Sequence, residues 1–194
     1  MQSQNGFTVV ELVFATGLFT VITAAAAPPL LAGLDEWRTH GAARYIASRM
    51  YQARMEAAVR SADTAVRFEP TGSGYRYFTV VDGNRNGIRN IDVDSGADRP
   101  VQPAEQLEDK FPGVQFGALA GLPSVDPYGT APASDPIRLG ANDTLTFTAL
   151  GSSSPGSVYI RGRGSVQYVV RIFAETGKIR VLKFHAASRQ WTQL

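Results

Sequence analysis

A single carboxylate stands inside the apolar N-terminal part of the chain. Glu11 is the only ionisable residue between Phe7 and Leu34, and four threonines are its mildly polar neighbours. A carboxylate in a membrane segment costs roughly 2.5–3.5 kcal/mol on insertion scales, so its charge needs a partner. The position of Glu11 therefore predicts a paired acid in an otherwise apolar helix.

A second cluster of oxygen-bearing side chains lies in residues 82–94. An EF-hand loop places oxygen ligands at positions 1, 3, 5 and 9, Gly at 6 and Glu at 12. This segment meets the first five requirements but has Val93 at position 12, and Arg85 and Arg89 would oppose a dication. We favour an Asn-Gly turn cluster that tolerates positive φ. The alternative is a calcium site, with the expected ligands Asp82, Asn84, Asn86 and Asp92.

Basic residues concentrate near the C-terminus although the net charge of the chain is only +2. From residue 161 onward the sequence has seven Lys and Arg residues, and Glu175 is its only acidic residue. Clustered cations neutralise phosphates, so the candidate nucleic-acid contacts are Arg161, Arg163, Lys178 and Arg180. On a strand, Lys178 and Arg180 would project from the same face. The alternative, which we favour, is a solvated end of a hairpin.

Catalytic motifs are not found in the sequence. The two histidines, His40 and His185, have no nearby acid at a spacing that would indicate a catalytic pair, and there is no cysteine. The Gly151–Gly156 segment does not match the Gly-x-Ser-x-Gly nucleophile elbow, and no Walker loop, dinucleotide fingerprint or zinc spacing occurs. We therefore predict a protein that is not an enzyme and needs no cofactor other than the calcium considered above.

The elements that position these residues follow from hydrophobic periodicity. The 28 residues of Phe7–Leu34 are long enough to cross a bilayer as a helix. Pro28-Pro29 interrupt this run and predict a bend or a locally melted stretch. Beyond it, an apolar stripe at spacings of four and three predicts an amphipathic helix on one face. The stripe consists of Ala42, Ile46, Met50, Ala53 and Ala57.

After Ser61 the pattern changes from helical to alternating, which predicts strands. Residues 100–136 hold seven of the eleven prolines and predict an irregular excursion. Thr176-Gly177 predicts a two-residue hairpin link. One long helix followed by an antiparallel sheet makes the predicted fold class α+β. The predicted strands are Thr64–Phe68, Tyr75–Val81, Leu145–Leu150, Ser157–Arg161, Val166–Phe173 and Lys178–Phe184, with a turn-rich link at residues 70–74 between the first two.

The Gly6-Phe7 junction, Glu11 and the apolar run together resemble the class III signal of type IV pilins and pseudopilins. The resemblance implies that a prepilin peptidase cuts after Gly6 and that Phe7 is then N-methylated. It also implies that Glu11 pairs with the N-terminal amine of a neighbouring subunit, and that Pro28 lies where the helix loosens in the filament. The leader would face the cytoplasm, although it carries neither the Lys nor the Arg that such leaders usually have.

The stem and the C-terminal half resemble the GspH/FimT family. The stem reads Ala53-Arg54-Met55-Glu56-Ala57, close to the Ala-Arg-x-Glu-Ala pattern of the family, and the Leu145–Ile160 region resembles its head. The implied protein is a pilin-like minor pseudopilin or minor pilin of a type II secretion pseudopilus or a type IV pilus. Its implied partners are other pilins, the prepilin peptidase and the inner membrane.

The implied organisation has four parts. They are a leader over residues 1–6, a transmembrane and filament-core helix over 7–34, an amphipathic stem over 35–62, and a β-rich head over 63–194 on the periplasmic side. Gly177-Lys178-Ile179-Arg180 also resembles the Gly-Arg-x-Arg motif of FimT-type pilins in DNA uptake, with Lys in place of Arg. A minor pilin that binds duplex DNA is therefore one alternative. An unrelated membrane-anchored sheet domain with a chance leader motif is another.

Overall fold

The computed structural model describes residues 6–126, 129–140 and 142–194. It divides into two compact units, Met1–Leu34 and Asp35–Leu194. Most of the expected leader, residues 1–5, lies outside the described residues.

Helix α1 extends from Val9 to Arg60. It includes all described residues of the N-terminal unit except 6–8 and continues into the C-terminal unit. It has an 18-residue window of mean hydropathy 2.0, and none of the residues 7–34 is buried within the chain. The helix continues through Pro28 and Pro29, so the structure shows no locally melted stretch there, and the predicted bend stays a prediction. Each proline removes one amide donor, but its fixed φ near −65° is compatible with a helix.

The remaining part of α1 carries the predicted apolar stripe, and that stripe is buried. Ala42, Met50 and Ala57 are fully buried, and Ile46 and Ala53 are 1% exposed. They pack against residues of both sheets, Phe68 and Tyr77 in one and Ile160 and Tyr168 in the other. Burying a side chain such as Ile or Met contributes about 1.5–3 kcal/mol, so this stripe is a main source of the stability of the head.

Short strands and two short helices follow α1. In chain order they are β1 Thr64–Thr71, β2 Gly74–Val81, α2 Asn90–Ser95, β3 Arg99–Pro100, β4 Glu105–Gln106, α3 Leu107–Lys110, β5 Gln115–Phe116, β6 Ile137–Leu139, β7 Thr144–Phe147, β8 Gly156–Arg161, β9 Gln167–Phe173, β10 Lys178–His185 and β11 Gln190–Gln193.

These strands form two antiparallel sheets rather than one. The first sheet has the order β3-β2-β1-β7, with β4 also on β2, and the second has the order β11-β10-β9-β8-β5, with β6 also on β8. The predicted α+β class with a long N-terminal helix and antiparallel strands is confirmed. The apolar inner faces of both sheets enclose the stem stripe, and this determines which side chains remain on the outer faces.

Three local predictions differ from the structure. Strand β1 continues to Thr71, so the link to β2 is only the two residues Gly72-Ser73. The link between β9 and β10 is four residues, Ala174–Gly177, rather than two. The stretch over residues 100–136 is not wholly irregular, because it contains β4, α3 and β5. Strands β3, β6 and β11 and helix α2 were not predicted either, because segments this short gain their structure from packing rather than from local propensity.

Candidate functional site

The segment around the Gly6-Phe7 junction is accessible. Phe7 is 90% exposed, and a Cβ added at Gly6 would meet nothing within 4 Å. Residues 6–8 are not helical, and the helix begins at Val9. A short non-helical stretch ahead of a helix leaves the backbone open to a protease.

Glu11 accepts two hydrogen bonds from Thr8 just ahead of the helix. The Thr8 N–H and the Thr8 hydroxyl donate to Oε2 of Glu11 over 3.0 and 3.1 Å, and the Glu11 N–H donates to the Thr8 hydroxyl over 3.3 Å. This is a capping box, in which the residue at the start of a helix and the acid three positions later satisfy free amides. The Thr-x-x-Glu spacing is visible in the sequence, although the capping box was not predicted from it.

The polar residues further along the apolar helix are also satisfied locally. Thr16, Thr20 and Thr23 each donate their hydroxyl to the carbonyl four residues earlier, over 2.8–2.9 Å. Such bonds hide hydroxyls from an apolar surrounding. Glu11 is thus the one charged group of this segment that can take a further partner.

The Asp82 carboxylate is engaged by backbone amides of its own loop. It is 5% exposed, and its two oxygens accept from the N–H groups of Arg85 and Gly87, each over 2.7 Å. Asp98, fully buried, accepts from the N–H groups of Gly83 and Arg89 over 3.1 and 3.4 Å. Asp98 was missed in the sequence because it lies beyond the EF-hand length.

Two of the other expected calcium ligands, Asn84 and Asp92, have settings of their own. Asn84 is exposed and accepts from the Asn86 N–H over 3.2 Å, and Asp92 lies in helix α2. Among the described residues, no group of three His, Cys, Asp or Glu side chains is placed to hold a metal ion. The geometry fits the turn cluster that we favour, and calcium binding remains an untested alternative.

The four expected nucleic-acid contacts fall into two groups. Lys178 and Arg180 lie on β10 on either side of the buried Ile179, so they share the outer face of the second sheet. Arg161 lies at the opposite end of the β8–β9 ladder, opposite Gln167, whereas Lys178 lies opposite Phe173. The seven residues from Gln167 to Phe173 span roughly 20 Å along the strand. The expected single cluster is therefore two separate pairs.

The environments of these two pairs also differ. The Arg180 guanidinium lies 5.4 Å from the centre of the Phe173 ring, and Lys178 is exposed. Arg161 and Arg163 instead lie against Gly117 and Gly113, where an added Cβ would meet their side chains at 2.9 and 2.1 Å. Each pair nevertheless contains one exposed cation, Lys178 or Arg163, and one half-buried arginine.

Hydrogen bonds from α1 to strand β10 and to two loops of the head hold the stem in place. Tyr51 donates to the carbonyl of Ile179 over 2.9 Å, and Arg54 donates to the carbonyl of Gly177 over 3.3 Å. Asp35 accepts from the N–H groups of Arg163 and Gly164 over 3.0 and 3.1 Å. Arg54 belongs to the Ala-Arg-x-Glu-Ala pattern, so part of that pattern serves the joint between helix and hairpin.

Glycines make two of these joints possible. A Cβ at Gly162 would come within 2.5 Å of the Thr39 hydroxyl and 2.6 Å of the Asp35 carboxylate. Gly177 has φ +56°, and a Cβ there would meet the Gly151 carbonyl at 2.5 Å. Only a residue without a side chain allows these close approaches.

Glu105 is the centre of a polar cluster between the stem and the first sheet. Its carboxylate accepts from the hydroxyls of Tyr45 and Tyr77 over 2.7 and 3.0 Å, and Arg49 and Lys110 each approach to 3.6 Å. Desolvation by burial would raise the pKa of Glu105, but the two hydroxyls and the two cations outweigh it and lower that pKa. Burial and the nearby Glu105 charge raise the pKa of Tyr77.

A family model described as Type II transport protein GspH matches residues 42–176, more than half of the chain. Among solved structures, the chain is similar to the minor pseudopilin EpsH from the type 2 secretion system of Vibrio cholerae. One EpsH structure is 18% identical with a TM-score of 0.47, covering 75% of this chain and 97% of that one. A second is 14% identical with a TM-score of 0.41, covering 82% and 94%. No curated protein matches the chain.

Proposed function

Because the chain belongs to the GspH family of type II transport proteins, we propose that it is made as a precursor and processed at the Gly6-Phe7 junction. A prepilin peptidase removes the Met1–Gly6 leader, and the new N-terminal Phe7 is methylated. The exposed, non-helical residues 6–8 support this proposal, since both reactions need access to the backbone. The mature protein is a minor pseudopilin, a filament subunit rather than an enzyme.

One observation carries the role in assembly: an apolar helical segment that its own chain leaves uncovered. None of the residues 7–34 is buried, although the segment has the hydropathy of a membrane span. Apolar surface of this extent must be covered by lipid or by other apolar helices. The segment therefore anchors the subunit in the inner membrane first, with the leader in the cytoplasm and the head in the periplasm. It then packs with other pseudopilins in the filament.

The proposed part of Glu11 is to receive the amine of a neighbouring subunit. Its carboxylate has two oxygens, and only Oε2 is engaged by Thr8. The other oxygen can accept an ammonium group, which would offset the cost of placing this charge among apolar helices. Pro28 and Pro29 each lack a backbone N–H, so two hydrogen bonds of the helix are missing at this point. If filament packing requires the helix to open, it would open there most easily.

Processing is tested by expressing the full-length chain with and without a prepilin peptidase and measuring the mass of its N-terminal peptide. We expect loss of residues 1–6 and one added methyl group on Phe7 only when the peptidase is present. Gly6→Glu should block cleavage because the junction no longer offers a small residue, whereas Gln4→Glu, with the same charge change, should be processed. Uncleaved wild-type protein beside an active peptidase would favour an unrelated membrane-anchored domain.

A second candidate function, binding of duplex DNA, is supported by the placement of Lys178 and Arg180. The two cations share one accessible strand face, which is the arrangement that phosphate contacts require. Salt-sensitive DNA binding by the full-length chain in detergent would test this function. Lys178→Ala/Arg180→Ala should flatten the slope of log K against log salt by roughly two. The control is Arg38→Ala/Arg44→Ala, which removes two exposed stem cations. Equal slopes in all three proteins would exclude this surface.

A further inference from the structure

A cleft of about 460 Å³ lies on the outer face of the first sheet, away from the stem stripe. Its floor is formed by residues of β1 and β7, where Arg67 pairs with Thr144 and Ala65 with Thr146. One wall is the segment Ile88–Ile91, and Ser154 belongs to the opposite wall. This volume lies within the range of roughly 300–1,000 Å³ that small-molecule sites occupy.

Arg67 enters this cleft as a largely buried cation with an unused donor. Its side chain is 14% exposed, and its Nε lies 3.1 Å from Oε1 of Glu69. Its Nη1 is buried and has no hydrogen-bond partner among the residues that the structure describes. A buried donor without an acceptor costs about 1–3 kcal/mol, and more when it is charged. An acceptor in the cleft would remove that cost.

Glu69 fixes the direction of the Arg67 guanidinium. The same carboxylate binds Arg76 over 2.6 Å, so one acid is shared by two cations on neighbouring strands. The Glu69 charge is therefore insufficient to neutralise both. Because Glu69 holds Nε, the terminal nitrogens of Arg67 are the donors left for an oxyanion, which a guanidinium can bind bidentately.

The rest of the lining has the same chemistry. Arg89 supplies a second guanidinium, and the Thr144, Thr146 and Ser154 hydroxyls are hydrogen-bonding groups of the cleft. The Ser154 hydroxyl accepts from the Thr146 N–H over 3.0 Å, which leaves its hydrogen free to point elsewhere. No carboxylate is found among the described residues that line the cleft.

We propose that this cleft binds a small oxyanion, the carboxylate or phosphate group of a solute, between Arg67 and Arg89. The hydroxyls of Thr146 and Ser154 complete the donor set. The site lies on the opposite face of the sheet from the stem stripe. It is also distinct from the Lys178–Arg180 face, which belongs to the second sheet.

The test uses the full-length chain in detergent and two probes, inorganic phosphate and succinate, titrated calorimetrically against chloride at the same ionic strength. The two probes distinguish a phosphate site from a carboxylate site. Arg67→Gln and Arg89→Gln each remove one guanidinium from the cleft. Arg99→Gln is the matched control, because it removes an exposed cation of the same sheet that does not line the cleft.

We expect saturable binding of at least one probe, weakened tenfold or more by Arg89→Gln and by Arg67→Gln and unchanged by Arg99→Gln. If Arg67→Gln loses its fold with the Glu69 contact, Arg89→Gln alone decides. The proposal is overturned if neither probe binds saturably. It is also overturned if Arg89→Gln and Arg99→Gln bind the probe equally well.

Discussion

The acid near the N-terminus has a partner in its own chain before any second subunit is present. Thr8 donates both its amide and its hydroxyl to Glu11. A capping box stabilises the start of a helix whether or not the chain assembles. The proposed pairing with a neighbouring amine therefore has to be separated experimentally from the capping role.

Two substitutions at Glu11 make that separation. Glu11→Gln keeps an oxygen acceptor for Thr8 but loses the charge, whereas Glu11→Ala loses both. We expect both variants to insert into the membrane normally and both to co-assemble with partner pseudopilins several-fold less than wild type. The measurement is the fraction of the chain that is recovered in filaments. Normal incorporation of Glu11→Gln would show that capping alone accounts for this residue.

Glu105 is the residue at which the stability of the head should depend on pH. Because the folded protein lowers the pKa of Glu105 from its ordinary value of 4.5, its contribution is fully present above that pH. The contribution is lost as the pH falls below 4.5 and through the lowered pKa. Acidification protonates the acceptor of two tyrosine hydroxyls and leaves Arg49 without its counter-charge.

We expect Glu105→Gln to destabilise the protein at neutral pH by about 1.5–3 kcal/mol, the value of a hydrogen bond to a charged group. Between pH 5 and pH 3 the variant should also lose less stability than wild type. The difference should be roughly the free energy that the ionised Glu105 carboxylate contributes to the wild-type protein. Urea unfolding across this pH range measures both effects. Glu108→Gln, an exposed acid on the neighbouring helix α3, is the control, and an identical acid response in the two variants would contradict the assignment.

At the scale of elements, the loop between β2 and β3 is organised by two acids acting on backbone amides. Asp82 lies at the start of this loop and Asp98 near its end. Together they accept hydrogen bonds from four backbone N–H groups of residues 83–89. The loop packs Ile88 and Val93 onto Phe78 and Val80 on the outer face of the first sheet. The same segment forms a wall of the oxyanion cleft, so the loop needs a defined conformation.

We expect Asp82→Ala to cost about 1–3 kcal/mol, because it leaves two amides without an acceptor. The loss should be the same with millimolar calcium and with a chelator, as measured by thermal unfolding. Asp94→Ala, which removes an exposed acid of the same loop, should have little effect. A wild-type midpoint that rises with calcium, and fails to rise in Asp82→Ala, would instead establish the calcium site.

At the scale of the whole molecule, the buried apolar residues that the structure describes all belong to the C-terminal unit. They begin at Ala42 and end at Ile179, and none of the residues 6–34 is among them. Folding of the head therefore does not depend on the membrane segment. This separation is what the proposed function requires, in which the N-terminal helix would exchange lipid for other helices while the head keeps its structure.

Residues 35–194 should accordingly fold without the anchor. We expect a thermal midpoint within about 4 °C of that of the full-length chain in detergent, which corresponds to roughly 1 kcal/mol for a protein of this size. Ile46→Ala should lower the stability of either form by about 2–5 kcal/mol, whereas Leu18→Ala should not change it. A molten or aggregated 35–194 fragment would show that the anchor supports the fold.

Much of this organisation can be read from the sequence because it depends on local patterns. Local sequence shows the apolar run with its single Glu11. It also shows the stripe at Ala42, Ile46 and Met50, because hydrophobic periodicity is a pattern of residues close together in the chain. The strands β8, β9 and β10 likewise show alternation within a few residues. The α+β class and the family resemblance rest on these features, and both are confirmed.

Only the tertiary structure decided which polar groups meet. Asp98 completes the loop that Asp82 begins, and Glu105 gathers two tyrosines from 60 and 28 residues away along the chain. Strand register placed Arg161 and Lys178 at opposite ends of one sheet and brought Arg67 opposite Thr144. Register depends on long-range pairing and on which face is buried, and neither is encoded in the few residues around any one of these side chains.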